Sequence, residues 1–395
     1  MSTRTDPQPV SAPAPAGPPA PVAGTGAIAV PADKAEALYL APNWKLVWWR
    51  FKKHRLAVIC AGIVGLIVIV ALFPDFFSLQ DPQLTSATQS FIPVQRVYFF
   101  SEDGFRPFVY GVDGKRNAKT LRMEWQIDES KRLPVRFFGQ GYPYKIFGLI
   151  PSDIHLLAAS TPEGAGNVHL LGTDRLGRDQ WSRLMHGTRV SLSIGLVAVV
   201  MSIFLGILLG GISGYFGGIL DLIIQRLIEL LQSLPPIPIW MALTASLPKE
   251  WTVQQVYFAI TIILSLIGWT TLGREVRGRF LSLREEDFVV AARLAGCSEL
   301  RVIFRHLAPT MTSHIIAVST LAIPAMIINE TFLSFLGLGL RPPAISWGVL
   351  LQEAQNLQSI ALAPWLLLPG LAVIITVLSF NILGDGLRDA ADPYS

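Results

Sequence analysis

Charge is scarce in this chain. Only 15% of its 395 residues are Asp, Glu, Lys or Arg, against 51% hydrophobic, which excludes an ordinary soluble domain and points to a membrane protein. Cysteine is nearly absent: Cys60 and Cys297 lie in an apolar run and in a distant basic loop, so no disulfide is expected. No G-x-x-x-x-G-K-[ST] run occurs, and the chain therefore lacks the phosphate-cradling loop of a nucleotide hydrolase. Gly210, Gly211, Gly214, Gly217 and Gly218 do not replace it, because no strand precedes them; they read as helix-packing positions and a turn. His54, His155, His169, His186, His306 and His314 show no His-Glu-x-x-His spacing, which argues against a metal site. A cleaved signal peptide would need a basic start and an early apolar core, and the first residues offer neither.

What is present is long apolar runs. Residues 56–73 carry no charge and, at about 1.5 Å per residue, are just long enough to cross the hydrocarbon core. Further runs at about 190–216, 227–247, 252–273, 311–335 and 361–384 give six candidate spans and put both chain ends on one side. Lys45, Arg50, Lys52, Lys53 and Arg55 precede the first span, and Arg274, Arg277, Arg279, Arg284, Arg293, Arg301 and Arg305 separate the fourth from the fifth. Positively charged flanks stay in the cytoplasm, so both ends are expected there. The net charge of +4 is then mostly topology, and nucleic acid is not an expected partner.

Residues 1–42 are dominated by Ala and Pro, with too little apolar surface to offset ordering entropy, and read as a disordered cytoplasmic tail. Residues 43–73 form the cytoplasmic lead-in and first span. Residues 74–173 shift to a soluble, aromatic and turn-rich composition: strands are expected over 96–100, 121–127 and 134–138, broken at 101–104, 112–115 and 128–132, in a β-rich extracytoplasmic insert. Residues 177–188 place Trp181, Leu184 and Met185 on one face of a helix, either lying in the membrane interface or packed on the insert. Residues 174–395 form the transmembrane core, with a cytoplasmic loop over 274–309.

That loop has its own punctuation. Ser282 and Glu285 have capping-box spacing, and Glu286 and Asp287 add negative charge where a helix N-terminus favours it. A helix starting there would carry Ala291, Ala292 and Ala295 as a small face for close approach by another protein, and stop at Gly296 in a left-handed conformation. Ser298 would cap a second short helix through Leu300, Ile303 and Phe304, until Pro309 forces a turn.

Ala291, Ala292, Gly296, His306 and Pro309 match the spacing of the loop called EAA in ABC importer permeases. Val290 stands where that motif usually has Glu, and Ala308 where it often has Leu, so grip should depend on shape and on charges such as Arg293. The chain also resembles the dipeptide, oligopeptide and nickel branch of these permeases, and its second subunit in particular. The stretches carrying that likeness are 172–179 (GTDRLGRD) with Ser182 and Arg183, 333–339 (LSFLGLG) with Pro342, Pro343, Ser346, Trp347 and Gly348, and 384–389 (GDGLRD) with Asp392 and Pro393.

The resemblance implies an all-α polytopic membrane protein: six transmembrane helices of the type I ABC importer (MetI-like) permease fold, in a bacterial inner membrane. It implies a heterodimer with a second homologous permease, two nucleotide-binding ATPase subunits holding ATP and Mg, an extracytoplasmic solute-binding protein, and surrounding membrane lipid. No cofactor is expected on this chain, and it is not expected to be an enzyme. The coupling surface implied is Glu286, Asp287, Ala291, Ala292, Arg293, Gly296, Cys297, Ser298, His306 and Pro309. Peptides are the branch's commonest cargo, with oligosaccharide or nickel as alternatives.

Two further features bear on the pathway. Pro235, Pro236 and Pro238 remove backbone donors from the third span, giving a pathway-lining break or a structural kink. Glu330 lies near the outer end of the fifth span, where water is expected to reach it, as a structural or gating contact or a proton relay. Asp221, Arg226 and Glu229 read as locally paired helix-end anchors. An ion-gradient-driven transporter would use such breaks and carboxylates but predicts duplicated halves. A membrane-anchored binding protein would need no capped basic loop.

Overall fold

The computed structural model describes residues 43–101, 104–116, 118, 123–159 and 168–391. The expected tail over 1–42, and Asp392 and Pro393, lie outside the described residues. Contacts divide the chain between Leu46 and Val47. The helix α1 (Asn43–Lys53) begins before that boundary, and every later element belongs to the unit from Val47 onward.

The first apolar run forms α2 (Arg55–Leu72), entered by His54, whose Nδ1 accepts from the Ala57 N–H at 3.1 Å. Phe73 and Pro74 end it, and a short turn α3 (Pro74–Phe77) leads into the insert. Four strands come next, β1 (Tyr98–Ser101), β2 (Gly104–Arg116), β3 (Met123–Ile146) and β4 (Ile150–Ala159), paired antiparallel in sequence order. The expected breaks at 112–115 and 128–132 are corrected: the first lies inside β2, and the second is a bulge where the register jumps from Tyr110↔Arg132 to Gly111↔Asp128. A bulge keeps the strand going while setting extra residues aside. Much of the sheet is exposed on both faces, so β2 and β4 offer no clean alternation from which to expect them; Val109, Val135 and Ala158 are among the few buried positions.

The second span is longer than its apolar run. α4 (Gln180–Phe216) starts at Asp179, whose carboxylate accepts from the Ser182 N–H at 2.8 Å. No separate interface helix forms over 177–188: Gly177 is a turn residue at φ +71, and Trp181 packs on the insert, donating from Nε1 to the Phe77 carbonyl at 2.7 Å.

The third span is broken as its prolines suggest, into α5 (Gly218–Ser233) and α6 (Pro236–Ala245), bent by 89°. α7 (Val253–Leu283) begins with a Thr252/Gln255 capping box, an additional start signal. Then come α8 (Asp287–Leu294), α9 (Glu299–Phe335), α10 (Trp347–Glu353), α11 (Leu357–Leu362) and α12 (Pro364–Ala391). Among the described residues, five helices are long and apolar enough to cross a membrane, and the bent pair would make a sixth crossing.

Small residues let the bundle close. A Cβ on Gly210 would lie 2.3 Å from the Gly273 carbonyl oxygen, and one on Gly214 would lie 2.7 Å from that of Arg277, so α4 and α7 touch backbone to backbone. Ile194, Ala198, Ile260, Leu264, Met326 and Leu333 fill the space among α4, α7 and α9.

Candidate functional site

The basic loop folds into a knob at the end of α4 and α7 away from the insert. Its N-terminal boundary is corrected: Ser282 remains inside α7, with its hydroxyl bonded to the Arg279 carbonyl at 2.8 Å, and α8 starts at Glu286 with no side-chain cap. Phe280 and Leu283 continue the packed face of α7, and that packing overrides the local capping pattern. The stop at Gly296 is as expected. Its φ is +77; the Gly296 N–H reaches the Arg293 carbonyl and the Cys297 N–H reaches that of Ala292, the paired bonds of a Schellman motif.

The second helix is not short. Ser298 sits at its N-cap without a side-chain bond, and Pro309 does not turn the chain away: the helix widens into a π turn over Val302–Leu307, tightens over Ala308–Met311 and runs on to Phe335. The Ala308 N–H bonds the Ile303 carbonyl five residues back. Shifting the bonding pattern around Pro309 lets a residue without an N–H stay inside a helix.

The knob's inner face is rigid. Val289, Val302, Ile303, Leu307 and Phe280 are completely buried, with Ala292, Ala308 and Tyr215 against them. Ala292 thus serves the chain's own core, while Ala291 and Ala295 are exposed, so the three alanines do not form one outward face. Arg293 is held by Tyr215, donating from Nε to its hydroxyl at 2.8 Å with the guanidinium 4.6 Å from the ring centre. Glu286, Asp287, Ser298 and Pro309 are exposed, and Cys297 and His306 are half-buried. Outward stand Phe288, Val290, Leu300 and above all Leu294, 85% exposed. Apolar groups clustered on a surface mark an interaction site.

A bidentate pair fixes the knob end of the bundle. Arg277 donates to both Asp221 oxygens, Nε at 2.5 Å and Nη2 at 2.7 Å. The expectation that Asp221 pairs locally is corrected: its partner is 56 residues away, whereas Arg226 and Glu229 do pair at i,i+3, at 2.6 Å on the surface.

The opposite end is organised by buried polar groups. Glu330 is completely buried, so the expectation that water reaches it is overturned. Ser191 donates to its Oε2 at 3.0 Å and Ser334 to its Oε1 at 2.9 Å. The same two hydroxyls accept from the backbone N–H of Trp347 at 3.1 Å and of Leu340 at 3.0 Å. Glu330 thereby ties α4 and α9 to the 336–348 loop.

Nearby, Asp174 Oδ2 accepts from Arg178 Nε at 2.6 Å and from Arg183 Nη1 at 2.7 Å, and both arginines also reach Glu353. Burial, with the neighbouring Asp174 carboxylate, pushes the Glu353 carboxyl up to about 7. In sequence Asp174, Arg178 and Arg183 carry only a family likeness and Glu353 carries none, and their union in one cluster is not anticipated; three arginines interspersed with two aspartates over 174–183 are the available signal.

Pro235, Pro236 and Pro238 sit at the bend between α5 and α6, with Pro236 at the first helical position, where its missing N–H has no helical partner to lose. All three are exposed. The structure does not bring them together with Glu330, which is enclosed by α4, α9 and the 336–348 loop.

A multi-pass helical bundle with one broken span, a rigid knob at one face and a folded insert at the other defines a membrane transport component. The family model described as binding-protein-dependent transport system inner membrane component matches residues 202–394, and the one described as N-terminal TM domain of oligopeptide transport permease C matches 43–93. The chain is 37% identical over 243 residues to the oligopeptide transport system permease protein OppC of Bacillus subtilis, covering 61% of this chain and 76% of the relative. To the dipeptide transport system permease protein DppC of Alkalihalophilus pseudofirmus it is 39% identical over 232 residues, covering 58% and 74%. It is also similar to the inward-facing MetNI methionine ABC transporter, at 15% identity and a TM-score of 0.40 over 53% of this chain and 96% of that one. The chain belongs to the binding-protein-dependent transport system inner membrane components: it is a multi-pass permease subunit of an ATP-binding-cassette importer.

Proposed function

We propose that this permease carries peptides, as one half of a heterodimer with a second homologous permease, and that its knob is where an ATPase subunit docks. The knob and both chain ends then face the cytoplasm, and the insert faces out toward a solute-binding protein. ATP and Mg are held by two nucleotide-binding subunits, and no cofactor is held by this chain. The peptide assignment rests on the names of the OppC and DppC relatives.

The observation that carries the docking reading is the contrast between the two faces of α8: Val289 and Ala292 buried in the chain's own core, Leu294 and Phe288 left in the open. Burying a Leu side chain is worth roughly 1.5–3 kcal/mol, enough for a few such groups to anchor a contact. A rigid back is what a lever needs, because an ATPase pushing on α8 then moves α4 and α7 rather than deforming a loop. Arg293, committed to Tyr215, contributes by stiffening the knob, and grip comes from the apolar face with Glu286 and Asp287 at its edge. The exposed apolar flank of α5, including Ile219, Leu222, Ile223 and Leu230, faces the second permease or lipid, and the proline bend beside it borders the pathway. Glu330, enclosed and bonded on both oxygens, positions the 336–348 loop and relays no proton.

The test is reconstitution of the full importer in proteoliposomes with labelled dipeptides and oligopeptides. Uptake should require ATP, the ATPase subunits and the binding protein. Uptake without the ATPase subunits would overturn the docking reading, and a binding protein that takes oligosaccharide or nickel and not peptide would overturn the cargo.

A further inference from the structure

The turn joining β3 to β4 is unlike that of a water-facing hairpin. Phe147 and Gly148 have φ of +50 and +74, and the Leu149 N–H bonds the Ile146 carbonyl at 3.0 Å. The loop between the paired Ile146 and Ile150 is three residues, and consecutive positive φ favours Asn or Asp before Gly; here an aromatic side chain occupies that position. Phe147, Leu149 and Ile150 around it are 62%, 83% and 62% exposed.

The position of this tip is fixed by ring contacts. Phe147 lies edge-on to Phe73 with centroids 5.4 Å apart, and Phe73 is the residue that ends the membrane helix α2. Farther along β3, Phe138 lies 6.1 Å from Phe76. The apolar tip therefore stands level with the end of a span. It continues the exposed flank of α2, where Leu66, Ile69 and Leu72 are outward, the surface that a crossing helix gives to lipid.

We infer that the 147–150 turn dips into the hydrocarbon–headgroup boundary of the leaflet on the insert side and anchors the sheet to lipid. Aromatic side chains concentrate at that depth because an apolar ring gains from acyl chains while its backbone stays near water. Exposed Lys145, two residues before the turn, can extend its apolar stem along the boundary and leave its ammonium among phosphates. Lipid is chosen over a protein partner because the patch is continuous with the flank of α2. The consequence is mechanical: the insert is held at a set height above the membrane, by lipid at the tip and by Trp181 and Phe77 at its base, whatever the cargo.

The experiment uses the full chain with Cys60→Ser and Cys297→Ser, reconstituted in phosphatidylcholine nanodiscs and carrying one cysteine labelled with an environment-sensitive fluorophore. Leu149→Cys and Ile150→Cys report the tip; Glu129→Cys, exposed on the β3 bulge, reports water. The expected result is blue-shifted emission at 149 and 150, at least twofold quenching there by lipids bearing a shallow nitroxide, and neither effect at 129. Emission at both tip positions matching that at 129, without lipid quenching, would overturn the inference. So would a blue shift that appears only when a solute-binding protein is added.

Discussion

The two ends of this bundle are finished in opposite ways. At the insert end, charge and hydroxyl groups are taken out of water and bonded to one another: Glu330 with Ser191 and Ser334, and Arg178 and Arg183 with both Asp174 and Glu353. At the knob end the packed core is apolar, with the partly exposed Asp221–Arg277 pair beside it, yet Leu294, Phe288 and Leu300 are left outside. A buried polar network is costly to break on one side, so it fixes geometry. An apolar face in the open stabilises nothing until something covers it. The difference separates an end built to hold a shape from an end built to be gripped.

Removing one partner from the insert-end network should show the largest stability effect. Arg183→Met leaves Asp174 without one of its two arginines, and breaking a buried charge pair costs about 3–5 kcal/mol; thermal unfolding in detergent should show a large drop or loss of folded protein. An unchanged midpoint would erase the contrast between the ends. Gly296→Val comes next. No atom lies within 4 Å of a Cβ placed there, so the penalty is conformational, about 1–3 kcal/mol for a branched residue at positive φ, and uptake should fall further than stability because the angle of α8 changes. Equal loss of both would make Gly296 a folding residue only.

A smaller effect depends on pH. The Glu353 carboxyl is raised from 4.5 to about 7, so the folded chain holds a proton that the unfolded chain gives up in that window. Stability from this group is fully present below about pH 4.5 and is lost as pH rises through about 7. Between about pH 5.5 and 8 the unfolding midpoint should decline, and Glu353→Gln should flatten the decline; the same slope in both proteins would mean that another group titrates.

The sequence discloses whatever depends on near neighbours. The uncharged run at 56–73, the three prolines around 235–238 and the glycine at 296 each set their structure through their own backbone, and each falls where expected. What stays hidden depends on residues far apart: Arg277 meets Asp221, Arg183 meets Glu353, and Tyr215 receives Arg293 across 78 positions. Ser282 shows the converse error. Its capping pattern is real, but it lies on a helix whose buried face, through Phe280, has not yet ended. The sequence of β3 suggests a break because 128–132 is rich in polar turn formers, and a bulge uses the same residues as a turn. For the site, the sequence marks which segment forms the knob and leaves open which of its side chains face inward.

The most direct test is Leu294→Asp. At 85% exposure the change should move the chain's own unfolding by no more than about 0.5 kcal/mol, the smallest stability effect of the series, while placing a charge where the ATPase is proposed to sit. ATP-driven uptake in proteoliposomes containing the assembled importer should be lost with the unfolding midpoint of the permease unmoved. Uptake at the rate of the unaltered protein would contradict the account.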